Sequence, residues 1–141
     1  MLGKLLRVMV IPAAGALVMA GSGSAQAAGD LYGAIAVTVF RVGAATDYPT
    51  QYGADNAALD SCADPGCRIV ARIHNECGVV LERDYRSPFG SGPMYFAGTG
   101  RSIAEAEQNA RKLAGPDTVL PFYELTRPLF VLDALCTANA G

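Results

Sequence analysis

The stretch Cys77-Gly78-Val79-Val80-Leu81 has the same pattern as Tyr32-Gly33-Ala34-Ile35-Ala36, a glycine followed by aliphatic residues. Such apolar runs are typical of buried β-strands. A second match follows each stretch, because Thr50 and Ser102 both precede an alanine-rich helical pattern. The two matches are offset by 45 and 52 residues, and the Gly/Pro-rich connection 86–93 accounts for the difference. We therefore predict a strand-strand-helix-strand unit that occurs twice in one small α+β domain with an antiparallel sheet and two helices.

Both predicted helices begin at a hydroxyl residue that can cap them. Thr50 precedes a helix that runs to about Cys62, and the capping box Ser102-Ile103-Ala104-Glu105 begins a helix that runs to about Ala114. The spacing places Ala54, Ala57, Ala58 and Ser61 on a narrow small-residue face of the first helix. On the second helix it predicts burial of Ile103, Ala106, Ala110 and Leu113. The alternative to duplication is chance similarity between two amphipathic segments.

Between the helices, the sequence predicts a β-hairpin over residues 67–83. Residues 68–73 begin by alternating arginine with aliphatic side chains, as a half-buried strand does. His74-Asn75-Glu76 has turn character, and residues 77–82 have the pattern of the returning strand.

The N-terminus predicts a signal peptide over residues 1–27. A basic start precedes an apolar run over residues 8–20, and Ala25-Gln26-Ala27 has the small residues that signal peptidase accepts. A transmembrane anchor is the alternative, but it takes about 20 apolar residues, and a proline and a glycine interrupt this shorter run. We expect export, cleavage after Ala27, and a mature chain 28–141 without a membrane span, located outside the cell or in its envelope.

Composition limits the classes of function. A chain of 141 residues with 51% hydrophobic residues and a net charge of −2 fits one globular domain and argues against disorder. Acidic residues outnumber basic ones, 13 to 11, and loss of the basic start makes the mature chain more acidic still. We therefore expect no contact with nucleic acid and no polybasic contact with anionic lipid.

The cysteines predict disulfides. The four cysteines are Cys62, Cys67, Cys77 and Cys136, and an even number in an exported chain favours two bridges, for which three pairings exist. Because Ala-Asp-Pro-Gly between the first two is turn-forming, we favour the first cysteine with the second and the third with the fourth. A zinc site would need C-x-x-C pairs, which the chain lacks, so we expect no metal, no reactive thiol and no cofactor.

His74 is the only histidine and thus the only candidate for an imidazole general base. It would need a nucleophile and an orienting acid, for which the chain offers Ser61, Ser87 or Ser91 and Asp60 or Asp84. No G-x-S-x-G motif is present in the mature chain. Glu105 and Glu107 lie on different faces of their helix, which argues against a paired-carboxylate glycosidase. We assign no catalytic residue.

Residues 119–135 form a dense apolar segment with two prolines and three aromatic residues. We expect the last strand here, which covers the core and brings Cys136 to its partner. The alternative is a contact surface for another protein or for lipid, with Leu129, Phe130 and Val131 as interface candidates.

The order of these motifs resembles the actinobacterial secreted family called domain of unknown function 4189. The resemblance rests on Tyr32-Gly33-Ala34-Ile35-Ala36, the alanine-rich helix that ends at Cys62, Cys67-Arg68-Ile69-Val70, Cys77-Gly78-Val79-Val80, Gly98-Thr99-Gly100 and Cys136. It covers a core of about residues 31–114, whereas residues 115–141 diverge apart from the last cysteine. The resemblance implies a small exported protein of mycobacteria or their relatives, with paired cysteines, no established activity and no catalytic residues.

The sequence as a whole favours a secreted, non-enzymatic, disulfide-stabilised module. We expect it to act by contact with an envelope component, a host macromolecule or a second copy of itself in a homodimer. The alternative function is that of a small secreted hydrolase centred on His74.

Overall fold

The computed structural model describes residues 29–118 and 121–141, and the predicted signal peptide over residues 1–27 lies outside these ranges. The elements are β1 (Tyr32–Val37), β2 (Val42–Tyr48), α1 (Gln51–Cys62), β3 (Arg68–His74), β4 (Cys77–Ser87), β5 (Gly90–Gly100), α2 (Ile103–Ala114) and β6 (Glu124–Cys136). Their order is strand-strand-helix-strand followed by strand-strand-helix-strand. The predicted α+β duplication is therefore confirmed.

Each unit forms its own antiparallel sheet. The first sheet has the strand order β2-β1-β3 and the second sheet has the order β5-β4-β6, so the first strand of each unit is central. The strands therefore form two antiparallel sheets of three strands each instead of the single predicted sheet.

The prediction of a β-hairpin over residues 67–83 is wrong, because β3 pairs with β1 whereas β4 pairs with β5 and β6. The chain changes sheets at Asn75, which has a left-handed backbone with φ 56°. The backbone amide of Asn75 donates to the Leu31 carbonyl at 3.0 Å, and its side chain accepts from the Leu31 amide at 2.8 Å. The turn residue therefore binds the start of β1 instead of closing a β3–β4 ladder.

The two sheets pack face to face, with one helix on each outer side. In β1, Ala34 contacts α1 while Ile35 contacts the second sheet, and in β4, Val80 contacts the first sheet while Leu81 contacts α2. This alternation follows from the two-residue period of a strand. The core between the sheets consists of Ile35, Val37, Ala71, Ile73 and Val80.

The helices contact the sheets through small residues. The buried helical residues are Ala54, Ala58 and Cys62 in α1 and Ala106 and Ala110 in α2. A Cβ atom on Gly43 or Gly98 would overlap the backbone of the helix above it, so each helix lies close against its sheet. Such close contact leaves room only for small side chains. The predicted burial of Ile103 and Leu113 is therefore wrong, since they are 38% and 70% exposed at the rim.

The predicted helix caps are confirmed. The Thr50 hydroxyl accepts from the Gly53 amide at 3.1 Å, and the Ser102 hydroxyl accepts from the Glu105 amide at 3.2 Å. The Glu105 carboxylate reaches back to the Arg101 amide at 3.0 Å. The two hydroxyls satisfy amides that the first turn of a helix leaves unpaired, and the Glu105 carboxylate pairs the amide just before the cap.

Both favoured disulfide pairings are confirmed, and all four cysteines are paired. The bond between Cys62 and Cys67 joins the end of α1 to the start of β3. The bond between Cys77 and Cys136 joins residues that lie opposite each other on β4 and β6. The second bond closes the longer loop, and a longer loop constrains the unfolded chain more strongly.

The second sheet extends beyond the first. Its strands contain 11, 11 and 13 residues, compared with 6, 7 and 7 in the first sheet. The Tyr95 hydroxyl donates to the Thr38 carbonyl at 2.7 Å, and Tyr95 lies opposite Glu82 across the β4–β5 ladder. The end of β1 is thus level with Glu82, and β4 continues past it. We call this part of the molecule, with the β1–β2 loop and the β4–β5 turn, the hairpin end.

Candidate functional site

Two carboxylates lie on the extension of the second sheet. Glu82 and Asp84 are two positions apart on β4, so both side chains lie on the same face of the sheet. This face is the one toward the β1–β2 loop. Glu82 is only 5% exposed, although ionised side chains are seldom buried without a partner. An ionised carboxylate that is buried here is stabilised by a cation nearby.

Arg127 of β6 supplies that cation. Its Nη2 lies 3.0 Å from Glu82 Oε1, and its Nε lies 2.9 Å from Asp84 Oδ2. The guanidinium also lies over the ring of Phe130, 4.2 Å from the centroid. Because the Arg127 side chain is 54% exposed, its remaining N–H groups are accessible from the surface.

Burial raises the pKa of the Glu82 carboxyl above its usual range, and the neighbouring Asp84 raises it further, while Arg127 lowers it. The pKa of Tyr95 is also raised, first by burial and then by the negative charge of Glu82. The Arg68 guanidinium, 5.6 Å from the centre of the Tyr95 ring, opposes this increase. Tyr95 therefore stays protonated and keeps its hydrogen bond to the β1–β2 loop.

Arg83, between the two acids, points to the opposite face and is 4% exposed in its side chain. It donates to the Gly115 carbonyl at 2.8 Å and lies 3.1 Å from the Asp117 carboxylate. These contacts hold the chain that leaves α2. On one face of β4 the two acids thus bind Arg127, and on the other face Arg83 binds the segment after α2.

A groove separates the extension from the β1–β2 loop. One cavity of about 520 Å³ is lined by Val39, Phe40, Glu82, Asp84, Arg86 and Arg127, among others. A second cavity of about 450 Å³ adjoins it and is lined in part by Phe40, Asp64, Arg68 and Tyr95. We call the two together the hairpin groove. Each has a volume within the range of about 300–1,000 Å³ that is usual for small-molecule sites.

Three exposed phenylalanines lie at the hairpin end, and one of them, Phe40, lines the groove. Phe40 and Phe89 occupy equivalent places in the two units, at the β1–β2 loop and the β4–β5 turn, and are 92% and 94% exposed. Phe122 is 80% exposed beside a wider depression of about 650 Å³ that Arg86 also lines. Large apolar side chains that are exposed in this way are candidates for contact with a partner.

His74 lies at the other end of the sheets, where it pairs with Tyr32 at the start of β1. Its ring stacks on the Tyr32 ring with centroids 4.5 Å apart, and its Nε2 lies 3.2 Å from Asp30 Oδ1. Hydrogen bonds from Asn75 and His74 lower the pKa of the Asp30 carboxyl. The Asn75 side-chain amide also lies 3.2 Å from His74 Nε2. The imidazole therefore contacts the Tyr32 ring, the Asn75 amide and the Asp30 carboxylate.

The serines considered as nucleophiles lie away from this imidazole. Ser61 is on the exposed side of α1, and Ser87 and Ser91 belong to the β4–β5 hairpin at the hairpin end. Asp84, considered as the orienting acid, lies in the hairpin groove. The structure therefore does not bring the elements of the considered hydrolase site together.

Residues 32–115 match the family model described as Domain of unknown function (DUF4189). The match covers more than half of the chain. The chain belongs to this family. No curated protein and no solved structure matches the chain. The DUF4189 match ends just after α2, so β6, which supplies Arg127 and Cys136, lies beyond the matched residues.

Within the residues that the structure describes, no helix of this DUF4189 protein is long and apolar enough to cross a membrane. Over the same residues, no cluster of three or more His, Cys, Asp or Glu side chains is arranged to hold a metal ion.

The interface candidates of β6 do not share one surface. Leu129 packs against the cluster beneath α2, and Phe130 lies half-buried under Arg127. Val131 is 41% exposed and lies opposite Leu81, whose side chain contacts α2. Only Phe130 of the three borders the carboxylate pair, through Arg127.

The carboxylate pair was not predicted from the sequence, because the predicted strand ended at Glu82, whereas β4 continues to Ser87. A signal was present: in Glu82-Arg83-Asp84, continued alternation of a strand places both acids on one face and the arginine on the other. Their partner Arg127 is 45 residues from Glu82 and becomes visible only with the β4–β6 register.

Proposed function

We propose that this DUF4189 protein is an exported binding module that recognises a macromolecule of the cell envelope or of a host through its hairpin end. The observation that carries the proposal is the pair of phenylalanines, Phe40 and Phe89, each more than nine-tenths exposed and one at the tip of each unit. Export is supported by the N-terminal pattern and by two disulfides, which persist in oxidising compartments.

Exposed phenylalanines are unfavourable in water, and burial of one against a partner contributes about 1.5–3 kcal/mol. The polar groups that share the groove with Phe40 are held by the protein itself, since Arg127 bridges two carboxylates and the Tyr95 hydroxyl is bonded to the loop. A rigid surface loses little conformational entropy when it binds. The hairpin end thus combines apolar anchors with polar groups of fixed position.

The test compares envelope binding by the wild type and by a variant that carries both Phe40→Ser and Phe89→Ser. The mature, oxidised protein is sedimented with isolated cell envelopes and, in parallel, with a host extracellular matrix preparation. We expect the wild type to sediment with one of them and the double variant to bind at least about tenfold more weakly.

Tyr52→Ser is the matched control, because Tyr52 is a 78% exposed aromatic residue on α1, on the outer side of the first sheet. It should bind like the wild type. Equal binding by the double variant, or no binding of the wild type to either preparation, would show that the proposed function is wrong.

A further inference from the structure

We propose that the hairpin groove binds a short, uncharged oligosaccharide segment of a glycan. This inference deepens the proposed function, because it names the ligand of the same end of the molecule. It rests on the charge balance of the groove, on its fixed donors and acceptors, and on the aromatic ring at its rim.

The charges that line the groove cancel within each cavity. The larger cavity has two acids, Glu82 and Asp84, and two arginines, Arg86 and Arg127. The smaller cavity has one acid and one arginine, Asp64 and Arg68. An anionic ligand would meet the carboxylates, and a cationic ligand would meet the arginines. A neutral ligand avoids both penalties.

The same groups suit a ligand that has many hydroxyls. Neighbouring sugar hydroxyls can donate to carboxylate oxygens and accept from a guanidinium at the same time. Arg127 uses Nε and Nη2 for the two acids, and its 54% exposure leaves its other N–H groups accessible. Asp84 is 25% exposed, so its carboxylate is reached from the groove while Arg127 holds it in place.

Phe40 adds an apolar platform. It borders both cavities and is 92% exposed, so one ring can lie against a ligand that spans them. A pyranose ring has one face of C–H groups, which packs on the electron-rich face of an aromatic ring. The cavities of about 520 and 450 Å³ adjoin along this residue and form an elongated site.

The decisive experiment uses the envelope or matrix preparation that the wild type binds, after two separate treatments. Periodate cleaves the vicinal diols of sugars, and protease removes proteins. We expect periodate to abolish sedimentation of the wild type and protease to leave it unchanged. Loss after protease alone would overturn the glycan proposal and indicate a protein partner.

A competition assay then tests the charge argument. Oligosaccharides released from the same preparation are separated on an anion exchanger into a neutral and an anionic fraction. We expect the neutral fraction to inhibit binding. Inhibition by the anionic fraction alone, or by neither fraction, would overturn the inference.

Single variants test the assigned residues. Phe40→Ala and the isosteric Asp84→Asn should each raise the protein concentration needed for half-maximal binding to the preparation by about tenfold, as loss of a central contact does. The controls Tyr52→Ala and Glu107→Gln change an exposed aromatic residue and a surface ion pair elsewhere and should bind like the wild type. If Phe40→Ser with Phe89→Ser abolishes envelope binding while periodate has no effect, the proposed function stands and the glycan inference fails.

Discussion

Replacement of Arg127 by methionine should destabilise the protein in a way that depends on pH. The arginine lies 3.0 Å from the Glu82 carboxylate, which is 5% exposed. Loss of one partner of a fully buried ion pair costs about 3–5 kcal/mol. Because the Arg127 side chain is 54% exposed, solvent screens part of this interaction, and we expect a loss of about 2–3 kcal/mol at neutral pH.

The sign of the pH dependence follows from the raised pKa of Glu82, whose ordinary value is 4.5. Between the ordinary and the raised pKa, the folded protein binds more protons than the unfolded chain, so stability falls as the pH rises through this window. Arg127 lowers the pKa of Glu82, so its removal extends the window upward. The variant should therefore lose less stability in acid, where Glu82 is protonated in both states.

Urea denaturation at about pH 4 and about pH 7.5 measures the effect. Arg72→Met is the matched control, because Arg72 pairs with Asp55 at 2.9 Å and is 62% exposed, so its loss should cost less than about 1 kcal/mol at either pH. Adding Glu82→Gln to Arg127→Met should restore most of the stability, since no buried charge is left without a partner. Equal destabilisation at both pH values, or no difference from the Arg72 variant, would refute the reasoning.

Three further outcomes are expected. Gly43→Ala should lower the free energy of unfolding by about 1–3 kcal/mol, because a Cβ atom would overlap the backbone of α1, whereas Gly92→Ala, which points into open space, should have little effect in the same urea assay. Serine at both Cys77 and Cys136 should lower the free energy of unfolding by about 4 kcal/mol, as expected for a loop closed over a sequence separation of 59, and a loss below 1 kcal/mol would contradict the loop-closure argument. The intact mass of the exported protein should correspond to cleavage after Ala27 and rise by four hydrogens on reduction; an uncleaved mass would show that the signal-peptide prediction is wrong.

The duplicated architecture could be predicted from local signals. A glycine followed by aliphatic residues and a hydroxyl cap before an alanine-rich segment each fix a short stretch of backbone, and both occur twice. The division into two sheets could not be predicted in this way. Asn75 appears in the sequence as an ordinary turn residue, and only its bonds to Leu31 and to Asn139, at 2.8 and 2.7 Å, show that it links distant segments instead of closing a hairpin.

Only part of the candidate site could likewise be predicted from the sequence. The strand period places Glu82 and Asp84 on one face, but the groove depends on where β1 ends relative to β4 and on an arginine that a different strand brings in. The prediction of buried Ile103 and Leu113 failed for a related reason. Helical periodicity shows the direction of a side chain, whereas the distance between α2 and its sheet depends on Gly98 of β5. Because that distance is short, only small side chains fit beneath α2, and the two larger ones are exposed at the rim.

The unequal length of the two sheets has a consequence for how such a protein can diversify. Two sheets of equal length would cover each other from end to end and leave no recess. The groove therefore exists only where the strands of the second unit extend beyond those of the first. Residues added to or removed from the β4–β5 hairpin would deepen or shorten the recess without disturbing the helices, the disulfides or the aliphatic layer between the sheets. The greater length of one of the two similar units thus separates the part of the chain that keeps the protein folded from the part that shapes the recess.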